Sequence, residues 1–254
     1  MAKQSGHVEK RKQADFLPKT WDLPEAIRRR LGTKAGRQRL MDEEGHLLII
    51  LHAPPKPEDD ELRRAFVLWS NPGGDWKSYP ESGGLAGLNA HLESYQKVIH
   101  ELDDNVETSN SPRDYFEVMK RGHPLLRATR NMLTVLEAVR KARDDDQRLI
   151  VARDHAIDLE RAIDMATGDA KVGMEFSMAM NAESQADAAH KAGNEARRLN
   201  RLAAFFFPLV TLVSIFGINA PREVLGMPGF WPVLAAGVMA GLLTGALILG
   251  KTPK

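Results

Sequence analysis

The chain has 254 residues, a formal net charge of +1 and a mean hydropathy of −0.34, which excludes a protein built mostly of membrane spans. It has no cysteine, which excludes disulfides, thiolate metal sites and a cysteine nucleophile. Its eight histidines show no metal-ligand spacing, and no nucleophile lies in a recognisable turn, so we do not expect an enzyme.

The first 40 residues are basic, with eleven Lys and Arg against four Asp and Glu. Such a segment could contact anionic lipid or nucleic acid. We interpret residues 1–45 instead as a solvated, partly disordered lead-in, although Trp21 and Leu23 indicate that part of it docks, and we expect no nucleic-acid partner.

Three segments that favour β-structure follow, at residues 46–52, 64–70 and 75–79. Prolines end the first segment, and the NPGG sequence at residues 71–74 predicts a turn between the other two. We therefore expect a sheet of about three strands, covered by helix, in a small α/β domain at residues 46–110.

Heptad spacing dominates the chain after this sheet. Apolar residues at steps of three and four predict a helix over residues 85–106. Ser111 and Pro112 predict the N-cap and first residue of a second helix, and a third should begin near Gln147. Together these form a long helical hairpin and stalk at residues 111–201. The apolar face predicted for the second helix consists of Phe116, Met119, Leu126, Thr129, Leu133, Leu136 and Val139.

Three consecutive carboxylates, Asp144, Asp145 and Asp146, lie in the turn before the third helix. Carboxylate oxygens are ligands that divalent cations prefer, so the triplet is a candidate metal site. Negative charge is also favoured at a helix N-terminus, and this second interpretation needs no metal.

Two apolar runs without a charged residue, at about 202–218 and 232–249, are each long enough to cross a bilayer as helix. The outer loop at 219–231 contains a single basic residue, Arg222. The positive charges that flank the spans predict that both termini are cytoplasmic. These charges are carried by Arg197, Arg198, Arg201, Lys251 and Lys254.

The predicted fold is an α-helical membrane protein with a small α/β N-terminal cytoplasmic domain. Its long stalk helix continues into the first of two C-terminal transmembrane helices, which occupy residues 202–254. Partners expected from this pattern are the lipid bilayer and further copies of the chain, because a polar, small-sided stalk buries little by itself.

This arrangement resembles the CorA-type magnesium transporter family over about residues 85–254. In that family a proline in the first span is followed by Gly-Met-Asn at the outer end of the span. Here Pro208 is followed nine residues later by Gly217, Ile218 and Asn219, so the methionine is replaced.

The resemblance implies a homopentamer in the inner membrane, with a pore through which Mg²⁺ or another divalent cation passes. Gly217, Ile218 and Asn219 would form the selectivity filter, with the Asn219 amide on the hydrated ion. Family positions that face the pore correspond here to Gly193, Ala196, Leu199, Ala203, Phe207, Val210 and Ser214, with Leu199 as the apolar constriction.

The family is also regulated by cytoplasmic Mg²⁺ bound between subunits. Candidate ligands in this chain are Asp144, Asp145 and Asp146, together with Asp154, Asp158 and Asp164 on the long helix.

Two alternatives remain open, because polar positions expected in the pore are Ala196 and Val210 here. The assembly could select Zn²⁺, Co²⁺ or Ni²⁺, or it could be a membrane-anchored scaffold that conducts nothing.

Overall fold

The computed structural model describes residues 16–56 and 64–217, together with 235, 237–239 and 241–243, without side-chain detail at 209, 212, 213 and 215–217. The chain divides into two compact units, Met1–Met178 and Ala179–Lys254. In chain order the elements are α1 (Glu25–Arg29), β1 (Arg39–Glu43), β2 (His46–His52), β3 (Ala65–Ser70), β4 (Trp76–Tyr79), α2 (Leu85–Thr108), α3 (Pro112–Ala142) and α4 (Gln147–Gly217).

The first unit contains a four-stranded antiparallel sheet in the order β1-β2-β3-β4. Glu44 and Gly45 link β1 to β2, and both have positive φ, at 54° and 77°. Positive φ at both residues is characteristic of the two-residue hairpin turns that match strand twist. The NPGG turn is also confirmed, because the Asn71 N–H donates to the carbonyl oxygen of Asp75 at 3.1 Å.

Both faces of this sheet are buried, which explains why the β2 sequence, HLLIILH, is continuously apolar. Side chains of one face, including Ile49 and Leu68, join a large core with α2, α3 and the start of α4. Those of the other face, including Leu48 and Val67, pack with Trp21 and other residues from before the sheet.

The lead-in predicted for residues 1–45 is therefore corrected from residue 16 onward. Trp21, Leu23 and Ile27 are buried against the sheet, and β1 lies wholly within the predicted lead-in. Even the basic residues serve the fold, since Arg28 donates from Nε to the carbonyl oxygen of Leu23 (2.9 Å) and from Nη2 to that of Trp21 (3.0 Å). The prediction gave too much weight to the high charge of this segment and too little to its few large apolar side chains.

Helix α2 confirms the heptad prediction, because six of its apolar seam residues are buried. Among them, Tyr95 also donates its hydroxyl to the carbonyl oxygen of His52 at 2.8 Å, which ties the helix to the end of β2. The predicted boundary at residue 110 does not separate two cores, since α3 and α4 share the core of α2 and the sheet.

Helix α3 begins as predicted, with Ser111 as N-cap and Asp114 completing a capping box. Its predicted apolar face is only partly correct, because Phe116 is 54% exposed while Val118, Leu125 and Met132 are buried. The difference arises because α3 contacts β1, β2 and α2, so it buries a wider surface than a single seam. The helix continues through Pro124.

Helices α3 and α4 approach closely where a glycine faces a side chain. A Cβ on Gly122 of α3 would lie 2.5 Å from Cγ2 of Thr167 on α4. Further along, a Cβ on Gly173 would lie 2.5 Å from Cε1 of Tyr115. Both glycines therefore permit helix contacts that alanine would obstruct.

Candidate functional site

A long segment of α4, residues 178–203, has no buried position in the part of the chain that the structure describes. Residues 178–203 are all exposed, whereas α4 buries a residue every three or four positions from Leu149 to Ala170. A helix with no buried face draws little stability from packing, so this segment has a surface available for partners.

Five of the seven residues predicted to face the pore lie on one face of this helix. Leu199, Ala203, Phe207, Val210 and Ser214 follow one another at steps of four, four, three and four, the spacing that aligns side chains along a helix. All five are exposed, with exposed fractions of 66% for Leu199, 75% for Phe207 and 58% for Val210.

The opposite face of the same helix is covered. Ala204, Phe205 and Pro208 are partly buried. The described residues of the second apolar run are helical, and a Cβ on Gly241 would lie 3.0 Å from the carbonyl oxygen of Phe205. Gly237, one turn earlier, is buried too.

This pair of glycines is a G-x-x-x-G pattern, which lets helix backbones approach closely in apolar surroundings. The sequence analysis did not identify Gly237 and Gly241, although two glycines four residues apart in an apolar run indicate a close helix contact. The contact of Gly241 with α4 lies on the other side of the helix from the exposed, open Leu199–Ser214 face.

Near Pro208 the helix remains continuous, although proline supplies no backbone N–H to the preceding turn. Thr211 donates its hydroxyl to the carbonyl oxygen of Phe207 at 2.8 Å. Its polar group therefore serves the helix backbone, and the neighbouring position on the open face is the apolar Val210.

Helix α4 ends at Gly217, the first residue of the predicted filter. Ile218 and Asn219 lie outside the described residues, as does the predicted outer loop. Within the described part of the chain, no helix is both long and apolar enough to traverse a bilayer.

The aspartate triplet before α4 is arranged as a helix start. Oδ1 of Asp146 accepts a hydrogen bond from the Arg148 N–H at 3.0 Å, and its carboxylate pairs with the Arg148 guanidinium at 2.8 Å. The bond from Arg148 lowers the pKa of Asp146 below its ordinary value. Asp144 and Asp145 are exposed.

The other acidic candidates are dispersed. Asp164 accepts a hydrogen bond from Nη2 of Arg130 at 2.8 Å, and Asp154 accepts one from Nε of Arg153 at 3.0 Å. Across the described ranges, no three His, Asp or Glu side chains of one chain are grouped so that they could hold a metal. The helix-start interpretation of the triplet is the one that the contacts of Asp146 favour.

No family model matches the sequence, and no curated protein matches it significantly. Among solved structures, the chain is similar to the cytoplasmic domain of ZntB from Vibrio parahaemolyticus, with 12% identity, coverage of 63% of this chain and 80% of that one, and a TM-score of 0.49.

The structure of the full-length CmaX protein is also similar, with 12% identity and a TM-score of 0.54. That likeness covers 91% of this chain and 83% of the other. Identity this low is informative about fold alone. The small antiparallel sheet followed by long helices is thus a CorA-like fold.

Proposed function

We propose that the chain assembles into a homopentameric pore for divalent cations, with Mg²⁺ as the transported ion. The observation that carries the proposal is the open face of α4, from Leu199 to Ser214, whose opposite side is covered near Gly241. This face leads to Gly217, directly before Ile218 and Asn219. The CorA-like fold is found in channels and transporters rather than in enzymes, in keeping with the expectation that the chain is not an enzyme.

Membrane insertion in this proposal follows from the sequence. The runs at 202–218 and 232–249 are uncharged, and basic residues flank them on the side of the termini. Both termini are then cytoplasmic, and the loop at 219–231 is outside the inner membrane.

Self-association is supported by the exposed apolar side chains of α4. Val172, Phe176 and Met180 are about half to two-thirds exposed, at 64%, 67% and 49%. Burying such a side chain is worth about 1.5–3 kcal/mol, so copies of the chain gain by covering them. Leu199 and Phe207 then form apolar rings around the axis, which can gate an aqueous path by dewetting.

Ion selection in this proposal belongs to Asn219. Magnesium gives up its water reluctantly, so a ring of amide and carbonyl oxygens can hold the hydrated ion without stripping it. Regulatory Mg²⁺ is assigned to an interface between chains, with the exposed Asp144, Asp145 and Asp158 as ligands, because Asp146 and Asp164 are engaged by arginines.

The test is Mg²⁺ flux into proteoliposomes. We expect flux with the parent protein, none with Asn219→Ala, and unchanged flux with the control Asn89→Ala, whose asparagine is exposed on α2. Full flux through the Asn219 variant would refute the assignment of the filter.

A second candidate has support in the open face itself, where Val210 replaces a polar position of the family pattern. A less polar pore and Ile218 in the filter favour another cation, and the same assay with Zn²⁺, Co²⁺ and Ni²⁺ identifies it. Proteoliposomes that pass none of these ions would assign the chain to a membrane-anchored scaffold.

A further inference from the structure

The connection between α1 and β1 has a large excess of positive charge. Residues 28–39 contain five arginines and one lysine and no acidic residue. Two of these cations have a carboxylate partner, because Arg29 pairs with Glu25 at 3.2 Å and Arg30 pairs with Glu43 at 2.7 Å. The cations without a carboxylate partner among the described residues are Arg28, Lys34, Arg37 and Arg39.

The guanidinium of Arg39 is held inside this connection. Its Nη1 donates to the carbonyl oxygens of Ala35 at 2.8 Å and Arg37 at 2.9 Å, and a Cβ on Gly36 would lie 3.0 Å from the same nitrogen. These acceptors are neutral, so the positive charge is not offset. Burial lowers the pKa of Arg39 below its ordinary value, and the nearby charge of Arg30 lowers it further, because the two guanidinium groups repel each other.

The other edge of the Arg39 guanidinium has no partner. Its Nε and Nη2 make no hydrogen bond with any described residue. Neither is among the buried side-chain atoms that lack a partner in the described chain, so this edge reaches solvent. Two N–H groups on one edge of a guanidinium form a planar fork that matches two oxygens of a single phosphate or carboxylate. The bonds of Nη1 fix the direction of this fork before a ligand arrives.

The backbone around the fork is anchored to the core of the first unit. Gln38 donates from Nε2 to the carbonyl oxygen of Ala128 on α3 at 2.8 Å, and Nε2 of His52 donates to the carbonyl oxygen of Gly36 at 2.8 Å. Lys34 and Arg37, which lie on the same connection, are exposed. A fixed fork is therefore flanked in sequence by two long cationic side chains.

The fork and the charge count together specify the ligand class. Three cations without a carboxylate partner lie within residues 34–39, so they match an anion with several charges on a compact group. Linked phosphate groups have this property. The carboxylates of an acidic peptide carry one charge each, and those of successive residues in an extended strand point to opposite sides. A single inorganic phosphate would satisfy the fork alone.

We propose that the connection between α1 and β1 binds a compact polyphosphate anion on the Nε–Nη2 edge of Arg39, with Lys34 and Arg37 on its flanks. One phosphate group accepts both hydrogen bonds of the fork, and the remaining negative charges meet the two flanking cations. The phosphate chain of a nucleotide and free inorganic polyphosphate share this chemistry. The site has no residue in common with the open face of α4, so this proposal and the transport proposal can fail separately.

The test is calorimetric titration of the full chain, in an uncharged detergent and without divalent cations, with inorganic triphosphate, ATP and hexaglutamate. We expect saturable binding of triphosphate that weakens as NaCl is raised from about 50 to about 300 mM, because the contacts are charged and partly exposed. Equal affinity for ATP and triphosphate would identify the phosphate chain itself as the ligand. Tighter binding of ATP would identify a nucleotide.

Two variants separate charge from geometry. Arg39→Lys keeps the charge but has no fork, so triphosphate should bind about tenfold more weakly. The double variant Lys34→Gln/Arg37→Gln removes two exposed charges, so triphosphate affinity should fall at least about tenfold while thermal unfolding stays the same. Arg161→Gln removes an exposed cation of α4 and should bind triphosphate like the parent.

The proposal is overturned if the parent shows no saturable binding of triphosphate. It is equally overturned if the double variant and Arg161→Gln weaken binding alike, since the attraction would then be nonspecific. Tighter binding of hexaglutamate than of triphosphate would assign the surface to an acidic protein segment instead. An Arg39→Lys variant that binds as tightly as the parent would remove the fork from the site, with the same consequence.

Discussion

The two halves of α4 differ in what covers them. From Leu149 to Ala170 the helix buries a regular seam against α3 and the rest of the first unit, and Gly122 even permits direct contact with Thr167. From residue 178 to 203 no position is buried. The first segment is thus stabilised by packing within its own chain, whereas the second draws little stability from packing among the described residues.

The contrast predicts that changing leucine to alanine destabilises the fold strongly where the leucine is buried and very little on the exposed part of α4. Leu92 is fully buried on α2, so Leu92→Ala should lower the free energy of unfolding of the protein by about 3–4 kcal/mol. Leu199→Ala should change it by less than about 0.5 kcal/mol, because the side chain is 66% exposed. Urea unfolding followed by tryptophan fluorescence measures both.

Ion flux provides a second test of the difference between the buried and the exposed part of α4. If Leu199 forms the apolar constriction, Leu199→Ala should raise flux through proteoliposomes, although the fold keeps its stability. If Leu199→Ala were as destabilised as Leu92→Ala, α4 would be covered within the chain at this point, and the contrast between the two parts of α4 would be wrong.

A glycine pair tests how tightly α3 and α4 pack. Gly122→Ala should cost about 1–3 kcal/mol, since its Cβ would meet Thr167 at 2.5 Å. Gly168→Ala should instead stabilise the protein by about 0.5–1 kcal/mol, because this α4 glycine is exposed and has nothing within 4 Å of a Cβ. Thermal unfolding of the two variants checks the prediction, and equal effects would contradict it.

The smallest expected effect concerns pH. Because the pKa of Asp146 is lowered by its bond with Arg148, the ionised carboxylate contributes stability above its ordinary pKa of about 4. That contribution is lost as pH falls through the lowered value. Asp146→Asn should therefore be less stable than the parent at pH 7 and should approach it in acid.

Unfolding free energies measured from pH 7 to pH 2 follow this convergence, with the exposed neighbour variant Asp145→Asn as control. A gap between parent and Asp146→Asn that stays constant over this range would show that the ion pair contributes nothing.

Local signals predicted the three long helices and the hairpin at the NPGG turn, because their determinants are short-range. The cap at Ser111, the heptads of α2 and the NPGG turn each specify their own geometry. For Trp21 the sequence indicated only that its segment docks; the surface it docks on could not be predicted, since its partners on the sheet, such as Trp69, are distant in sequence.

The candidate site likewise has some features that local patterns indicate and others that depend on contacts distant in sequence. The family resemblance implied that Leu199, Phe207 and Ser214 face the same way, and their helical spacing agrees with it. That this face is exposed in the chain, and that Gly241 lies close to Phe205 on the other side of the helix, both depend on contacts between segments distant in sequence, which only the structure shows.

The sheet order also has a consequence for synthesis. Every strand pairs with its neighbour in sequence, so all strand contacts lie within residues 39–79. Such short-range pairings form early, and N-terminal regions fold first as a chain leaves the ribosome. The hairpins can therefore form before the apolar runs after residue 202 are made. The sheet face that packs against α2 and α3 then stays exposed until these helices have been made.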